Sequence, residues 1–337
     1  MKTLFLYKST EDADSEQRVM PNGLMWLTTY LKEKGLDISA RNLSNQDWDY
    51  AKKVILEEKP NIVGITCFSF NRMNCIELAK ITKLINNDTI VIFGGPHATL
   101  MAEQMLANYP QIDYIIKGEG ELVMENLIAC LNENKAVEDV KGLYIRKKGQ
   151  EDEIIFTGDQ ELIENLDILP LPAKYFRYNQ IITARGCPAD CIYCATPKLC
   201  GRKVRFRPAK HVVDEIEMLN KKHKISYFFL SDDTFNIKKQ HITEICNEII
   251  SRKLEIVWNC MLRVDIVSKE TFGLMKKAGC VSVFYGIESG SPEILKTLNK
   301  GITVEQVKEA CKLAREFGFE IQTYFIIGSP GETKETI

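Results

Sequence analysis

The sequence predicts an α/β protein in two successive parts: a doubly wound parallel sheet, then an open or partial (β/α) barrel. Three observations carry this. Over roughly the first 130 residues, short β-branched runs alternate with amphipathic stretches of about ten residues, the signature of parallel strands joined by crossover helices. The rhythm lapses over 132–177. It resumes from 180 with five further β/α units, a number that fits a partial barrel.

In the first part, strands are expected over 3–7, 36–40, 61–66, 89–93 and 113–116, with helices over 24–34, 50–58, 75–84, 99–107 and 121–131. Residues 142–146 and 153–156 flank KKGQED and read as a small hairpin with Gly149 near its turn. The expected division is a first domain over 1–131, a linker with that hairpin over 132–177, and the partial barrel over 178–337. In the last, strands are expected over 180–184, 226–230, 255–259, 281–285 and 320–327, alternating with helices over 210–221, 237–251, 269–277 and 303–317. A barrel with five strands has a raw edge, so the chain is expected to be truncated after the fifth or to be completed from elsewhere.

Composition bounds the function. Hydrophobic residues make up 45% and charged residues 27% of 337, as in ordinary globular proteins. Forty-four basic against 46 acidic residues give a charge of -2, which offers no electrostatic case for nucleic acid. The amino terminus has too short an apolar run for a signal peptide, and no stretch of about eighteen apolar residues follows, so a cytoplasmic protein without a membrane span is expected.

Eleven cysteines in such a chain do not read as a disulfide framework. Cys67, Cys75, Cys130, Cys246, Cys260, Cys280 and Cys311 stand singly in apolar or helical settings and read as small buried hydrophobes. Cys187, Cys191, Cys194 and Cys200 form the one dense group, in ARGCPADCIYCATPKLC, where the first strand of the second part ends. Ligands sit at the carboxyl ends of strands in α/β folds. Spacings of four and three let one loop point three soft thiolates at a common centre, which selects zinc, copper(I) or iron–sulfur. Zinc, with Cys200 as fourth ligand, is the competing reading, but no paired CxxC follows. Three cysteines suit a cubane cluster with one iron left open.

RGCPADCIYC, CxxxCxxC with Tyr193 before the last cysteine, resembles the signature of the radical S-adenosylmethionine superfamily. The resemblance implies a 4Fe–4S cluster held by Cys187, Cys191 and Cys194, whose open iron binds the amino and carboxylate groups of S-adenosylmethionine. Reductive cleavage then gives methionine and a 5′-deoxyadenosyl radical. It also implies a reductant such as flavodoxin or ferredoxin. Cys200 falls outside the triad.

Later strand ends carry matching phrases. In FFLSDDTF, the resemblance places Asp232 or Asp233 beside the methionine amino group; the plainer reading is a turn or helix cap. Arg263, in VWNCMLRVD, is placed near the cofactor carboxylate, a task suited to a guanidinium fork. Glu288 and Ser289, in VFYGIESGS, are assigned to ribose and methionine contacts, with helix capping as the alternative for Glu288. FIIGSPGET, with Gly328 and Pro330, resembles the adenine- and backbone-contacting segment. Arg202, Lys203, Arg205 and Arg207 read as a solvated basic face.

The first part has neither GxGxxG nor GxxxxGKS, which disfavours a dinucleotide or a nucleoside triphosphate. Its strand ends carry TCFSFN, GGPHATL and KGEGE, where Gly94, Gly95, Gly118 and Gly120 leave room for a bulky planar ligand and Ser69 offers a polar contact. With Pro21, Gly23, Leu24 and Leu27, these phrases resemble the cobalamin-binding domain fused ahead of many radical S-adenosylmethionine enzymes. DxHxxG is absent, and His97 in PHAT is not its equivalent, so no histidine ligand to cobalt is expected. The expected function is methylation of an unactivated centre in a small-molecule substrate. Radical cyclisation or ring rearrangement is the alternative within the family, and a non-catalytic iron–sulfur or redox protein the alternative outside it.

Overall fold

Strands paired in parallel and covered by helices must be apolar on both faces, and the runs TLFLY, IVGIT and IVIFG satisfy that. The computed structural model describes every residue except Lys148, and every side chain except those of Ser15, Glu16 and residues 150–152. The chain forms two compact units, Met1–Ile163 with Leu169–Pro172, and Glu164–Ile168 with Ala173–Ile337.

The first unit runs β1 (Thr3–Tyr7), α1 (Asn22–Glu33), β2 (Ile38–Asn42), α2 (Trp48–Glu58), β3 (Ile62–Thr66), α3 (Arg72–Ile85), β4 (Ile90–Gly94), α4 (Pro96–Leu100), α5 (Ala102–Asn108), β5 (Tyr114–Ile116) and α6 (Glu121–Asn132). A hairpin of β6 (Leu143–Lys147) and β7 (Gln150–Phe156) follows. The sheet order is β2-β1-β3-β4-β5-β6-β7; the first five strands are parallel, and β6 and β7 antiparallel. The expected doubly wound sheet is present. The hairpin, expected within a linker, is hydrogen-bonded to β5 and continues the sheet; Lys148 of its turn lies outside the described residues. At the centre, Phe5 lies beside Gly64, where a Cβ would come within 2.4 Å of the phenyl ring. The helix expected over 99–107 is two helices broken at Met101, because Gly95 at φ +90° and Pro96 in the first turn start α4 directly on the end of β4.

The second unit runs β8 (Gln180–Ile181), β9 (Ala184–Arg185), α7 (Thr196–Leu199), β10 (Arg205–Phe206), α8 (Ala209–His223), β11 (Tyr227–Leu230), α9 (Lys239–Ser251), β12 (Val257–Leu262), α10 (Lys269–Lys277), β13 (Cys280–Glu288), α11 (Pro292–Thr297), α12 (Val304–Glu316) and β14 (Glu320–Phe325). Five strands in the order β14-β13-β12-β11-β8 are all parallel, as a partial barrel requires. Phe228, Leu230, Trp258, Cys260, Val283 and Tyr285 are buried in the core that also takes in residues of α8 and α9. The edge strand β14 is largely exposed.

The first strand departs from expectation. The run over 180–184 divides into β8, in the main sheet, and β9, paired antiparallel with β10. Its cause is a partner far along the chain: Thr183 and Ala184 give their amides to the Asp232 carboxylate rather than to a ladder.

Gly279 joins α10 to β13 at φ +94°, and a Cβ there would stand 2.3 Å from Ile256 O. Gly279→Ala is expected to cost the second unit about 2 kcal/mol or more. Trp258, fully buried with its indole N–H on Ala278 O at 2.8 Å, reports on that unit. With Trp26 and Trp48 of the first unit replaced by Phe, its fluorescence in a urea titration should show the lowered midpoint; an unchanged midpoint contradicts the strain argument.

Candidate functional site

In the second unit, the cysteine loop occupies the segment between β9 and α7. It begins at Gly186, φ +95°, where a Cβ would lie 2.5 Å from Lys203 O, so only glycine lets the loop pack on that backbone. Cys187 is buried, with Sγ 3.9 Å from Thr234 Oγ1; Cys191 and Cys194 are half-buried, and Cys194 N donates to Cys191 O at 3.1 Å. All three are free thiols. Among the described residues, no group of three or more His, Cys, Asp or Glu side chains is set close enough to hold a metal ion, these thiols included. The donor chemistry fits a soft metal cluster: three unpaired thiols share one short loop, and the Arg263 guanidinium lies within electrostatic reach of Cys191 and Cys187.

The strand-end carboxylates differ in role. Asp232 is buried and accepts from Thr183 N at 2.5 Å, Ala184 N at 3.0 Å and the Thr183 hydroxyl. Its oxygens therefore tie β11 to the end of the first strand. Asp233 is exposed and accepts from Thr196 Oγ1 at 2.9 Å. Glu288, the last residue of β13, is buried at φ +69°, a region where a non-glycine residue is strained. Its Oε1 accepts from Lys300 Nζ at 2.7 Å and Tyr193 OH at 2.9 Å. Arg263 spends its fork on Asp265, at 3.0 Å from each of Nε and Nη2. Burial works against its charge, but the Asp265 contacts prevail and hold its pKa above the usual guanidinium value. Ser289 is buried and accepts from Ser291 N at 3.1 Å. Gly328, φ +90°, and Ser329 donate their amides to Glu332 Oε2, at 2.5 and 3.3 Å, while Pro330 is exposed.

The basic run after the cysteines is not one solvated face. Arg202 and Lys203 are exposed, paired with Asp190 and Glu164, but Arg205 and Arg207 are buried. Arg207 Nη1 meets buried Glu215 at 2.6 Å and donates to Ile182 O at 2.6 Å. A full buried charge needs such a partner, and residue type alone did not reveal one.

In the first unit, the loop after β3 and the two glycine-bearing loops after β4 and β5 are drawn together. Cys67 N donates to Gly94 O at 2.8 Å, His97 N to Cys67 O at 3.0 Å, and Gly118 N to Thr99 Oγ1 at 3.0 Å. Ser69 Oγ lies 3.0 Å from His97 Nδ1. A Cβ on Gly95 would meet Cys67 O at 2.9 Å, whereas one on Gly94 would meet only open space. Gly120 precedes α6 and would meet Leu27 at an ordinary 3.6 Å. These loops and the helices that follow them expose Phe70, Met73, Leu100 and Met101. Close-packed loops, a bare backbone at Gly94 and exposed apolar side chains fit a large flat ligand. Burial, then the Arg72 charge, hold His97 below the ordinary imidazole value.

The sequence offers Asn71 as a polar contact for a ligand, but not the bracing bonds that it and Asn74 make. Asn71 Nδ2 donates to Lys8 O at 3.0 Å and Asn74 Nδ2 to Ser9 O at 2.7 Å. These bonds bridge β1 and β3, where the strand order reverses and α/β sheets hold ligands. Lys300, Thr183 and His241 were missed as well. Their partners are remote in sequence, and no motif marks them.

Thr183 Oγ1 also lies 2.9 Å from His241 Nε2. Burial pushes Asp232 up to about 6, against its Thr183 bonds and Arg207, and pushes His241 down to about 4, aided by Lys238 and Arg207. Unfolded, the two groups titrate near 3.8 and 6.5. Between these limits, the unfolded pair holds one proton on histidine and the folded pair one on the carboxyl, so the pair gives no pH dependence. Each substitution unmasks the other group. Asp232→Asn leaves a histidine that binds its proton only when unfolded, so stability should rise by up to about 1.4 kcal/mol per pH unit from pH 4 to 6. His241→Gln should give the opposite slope. Urea midpoints across that range check both, and slopes of the same sign contradict the pairing.

Comparison with known proteins matches each unit to a family. Residues 181–337 match the radical SAM superfamily and residues 12–128 the B12 binding domain. An uncharacterized methyltransferase of Pyrococcus horikoshii is 32% identical over the whole chain, which spans 76% of it. The anaerobic magnesium-protoporphyrin IX monomethyl ester cyclase of Rubrivivax gelatinosus is also 32% identical, and the chain spans 64% of its length. In fold, the chain is similar to the radical S-adenosylmethionine methyltransferase TsrM of Kitasatospora setae, solved with cobalamin and a [4Fe–4S] cluster. The TM-score is 0.85 at 21% identity, over all of this chain and 69% of that one. With its cysteine loop in one unit and its glycine-lined strand ends in the other, the chain belongs to the radical S-adenosylmethionine superfamily, in the subgroup that carries a cobalamin-binding domain.

Proposed function

We propose that the protein uses S-adenosylmethionine, a 4Fe–4S cluster and cobalamin to methylate an unactivated centre in a small-molecule substrate. The observation that carries this is the cysteine loop at the strand ends of one unit in a chain whose other unit matches the B12 binding domain. When bound, the cluster and S-adenosylmethionine supply one-electron cleavage of a carbon–sulfur bond to methionine and a 5′-deoxyadenosyl radical, and cobalamin supplies a methyl group.

The chain's residues then hold and orient. Cys187, Cys191 and Cys194 ligate the cluster. Exposed Asp233, rather than the occupied Asp232, is suited to the methionine amino group. Arg263 offers its charge to the carboxylate while Asp265 fixes its plane. Glu288 lies at the end of β13 for ribose or methionine contacts, and Ser289 shapes the turn after it. The amides near Gly328 and Pro330 line the adenine side. In the first unit, Gly94, Gly118 and Ser69 form the corrin-facing surface, without a histidine ligand to cobalt, while Gly95 and Gly120 let the loops beneath it pack on Cys67 and Leu27. A one-electron donor such as flavodoxin or ferredoxin, and a cytoplasmic setting, complete the reading. Among the described residues, no helix is long and apolar enough to cross a membrane. Radical cyclisation is the second reading, favoured by the likeness to the cyclase.

Anaerobic reconstitution with iron, sulfide and hydroxocobalamin, followed by dithionite and S-adenosylmethionine, tests the proposal. The expected products are 5′-deoxyadenosine and methionine with corrinoid retained, and Cys191→Ala should reduce both products to background. A chain fully loaded with cluster that retains no corrinoid contradicts the cobalamin part. Equal turnover in Cys191→Ala contradicts the whole.

A further inference from the structure

The cysteine loop has little regular structure of its own, and three consecutive residues beyond α11 meet it. Leu298 O accepts from Ile192 N at 3.1 Å, and Asn299 Nδ2 donates to Asp190 O at 2.8 Å. Lys300 Nζ reaches Tyr193 OH at 3.0 Å and Glu288 Oε1 at 2.7 Å. Residues 298–300 thus touch the loop at 190, 192 and 193, on both sides of Cys191 and up to Cys194.

This strap is anchored from behind. Arg263 Nη2 donates to Lys300 O at 3.1 Å, and Lys300 N to Leu295 O at 3.0 Å. Asn299 turns the chain at φ +51°, a conformation that asparagine tolerates better than most residues. The Lys300 and Glu288 side chains are only 10% and 9% exposed, so their ion pair is sheltered from water and salt. Gly286 leaves the space they fill: a Cβ there would lie 2.6 Å from Glu288 Oε1 and 3.1 Å from Lys300 Nζ.

We propose that Lys300 is a positioning residue of the cysteine loop. Through Glu288 and the Tyr193 hydroxyl, it fixes the loop backbone against the end of β13. Cys191 and Cys194 then start from a set backbone and need only turn their side chains toward a shared centre. Such bracing by outer residues is how metal sites gain affinity and geometry. The inference rests on the loop being the cluster site, and its test requires no cluster.

The experiment is anaerobic alkylation of the reduced, metal-free chain with iodoacetamide, with the rate at each cysteine read by peptide mass spectrometry. Lys300→Met should speed labelling of Cys191 and Cys194 about fivefold, the size of one lost hydrogen bond. A rise confined to these two thiols reports freedom of the loop. Lys300→Arg should stay within about twofold of the parent, and Tyr193→Phe should raise the same two rates to a smaller degree. Buried Cys246 and Cys260 should stay protected throughout. Unchanged rates at Cys191 and Cys194 with those core thiols protected would overturn the proposal. Should Lys300→Met also expose Cys260, Tyr193→Phe decides: a rise confined to the two loop thiols supports the strap, and no rise refutes it. Iron uptake is measured separately. A parent chain that binds none contradicts the cluster reading, while the alkylation pattern still judges the strap.

Discussion

Strands that run in parallel all end on the same side of their sheet, and everything chemical in this chain follows from that constraint. In the second unit it brings the cysteine loop, Asp233, Arg263, Glu288 and Gly328 to one rim from five points far apart in sequence. In the first it does the same for three loops, two of them glycine-bearing. Neither rim would hold its shape on strand geometry alone. Asp232 draws Thr183 and Ala184 out of the ladder, so that the chain leaves the main sheet and delivers the cysteines over its end. Asn71 and Asn74 bridge β1 and β3 in the first unit.

The architecture was legible because parallel sheets write themselves in apolar runs of fixed length. Predicted and observed helices agree to within three residues for α8, α9, α10 and α12, and β1 is matched end to end. What failed to show was anything set by a distant partner. The first strand of the second unit looks continuous until Asp232, some fifty residues on, claims two of its amides. The run 99–107 looks like one helix because periodicity does not register that Gly95 and Pro96 start a turn early. Of the seven cysteines read as small hydrophobes, six are buried and Cys311 is half-buried, since apolar neighbours in sequence are a fair guide to burial.

Charge was the least readable property. Four basic residues within six positions divide into two exposed and two buried, and only the structure supplies Glu215 for Arg207. Lys300 is the counterpart case. In sequence it follows a helix like many surface lysines, yet it is sheltered with Glu288 and reaches the aromatic residue of the cysteine motif. The motif marks the proposed ligands, while the residues that hold the motif in place lie just beyond β12, at the end of β13 and in the turn after α11.

The account stands or falls on three thiols sharing a cubane with one corner left for the sulfonium cofactor. Mössbauer spectroscopy of the chain reconstituted anaerobically with iron-57 reads this directly. The account predicts a [4Fe–4S] spectrum in which S-adenosylmethionine shifts the isomer shift and quadrupole splitting of one iron while the others hold. A cluster whose irons all ignore the cofactor, or a chain that takes up zinc and no iron, would contradict it.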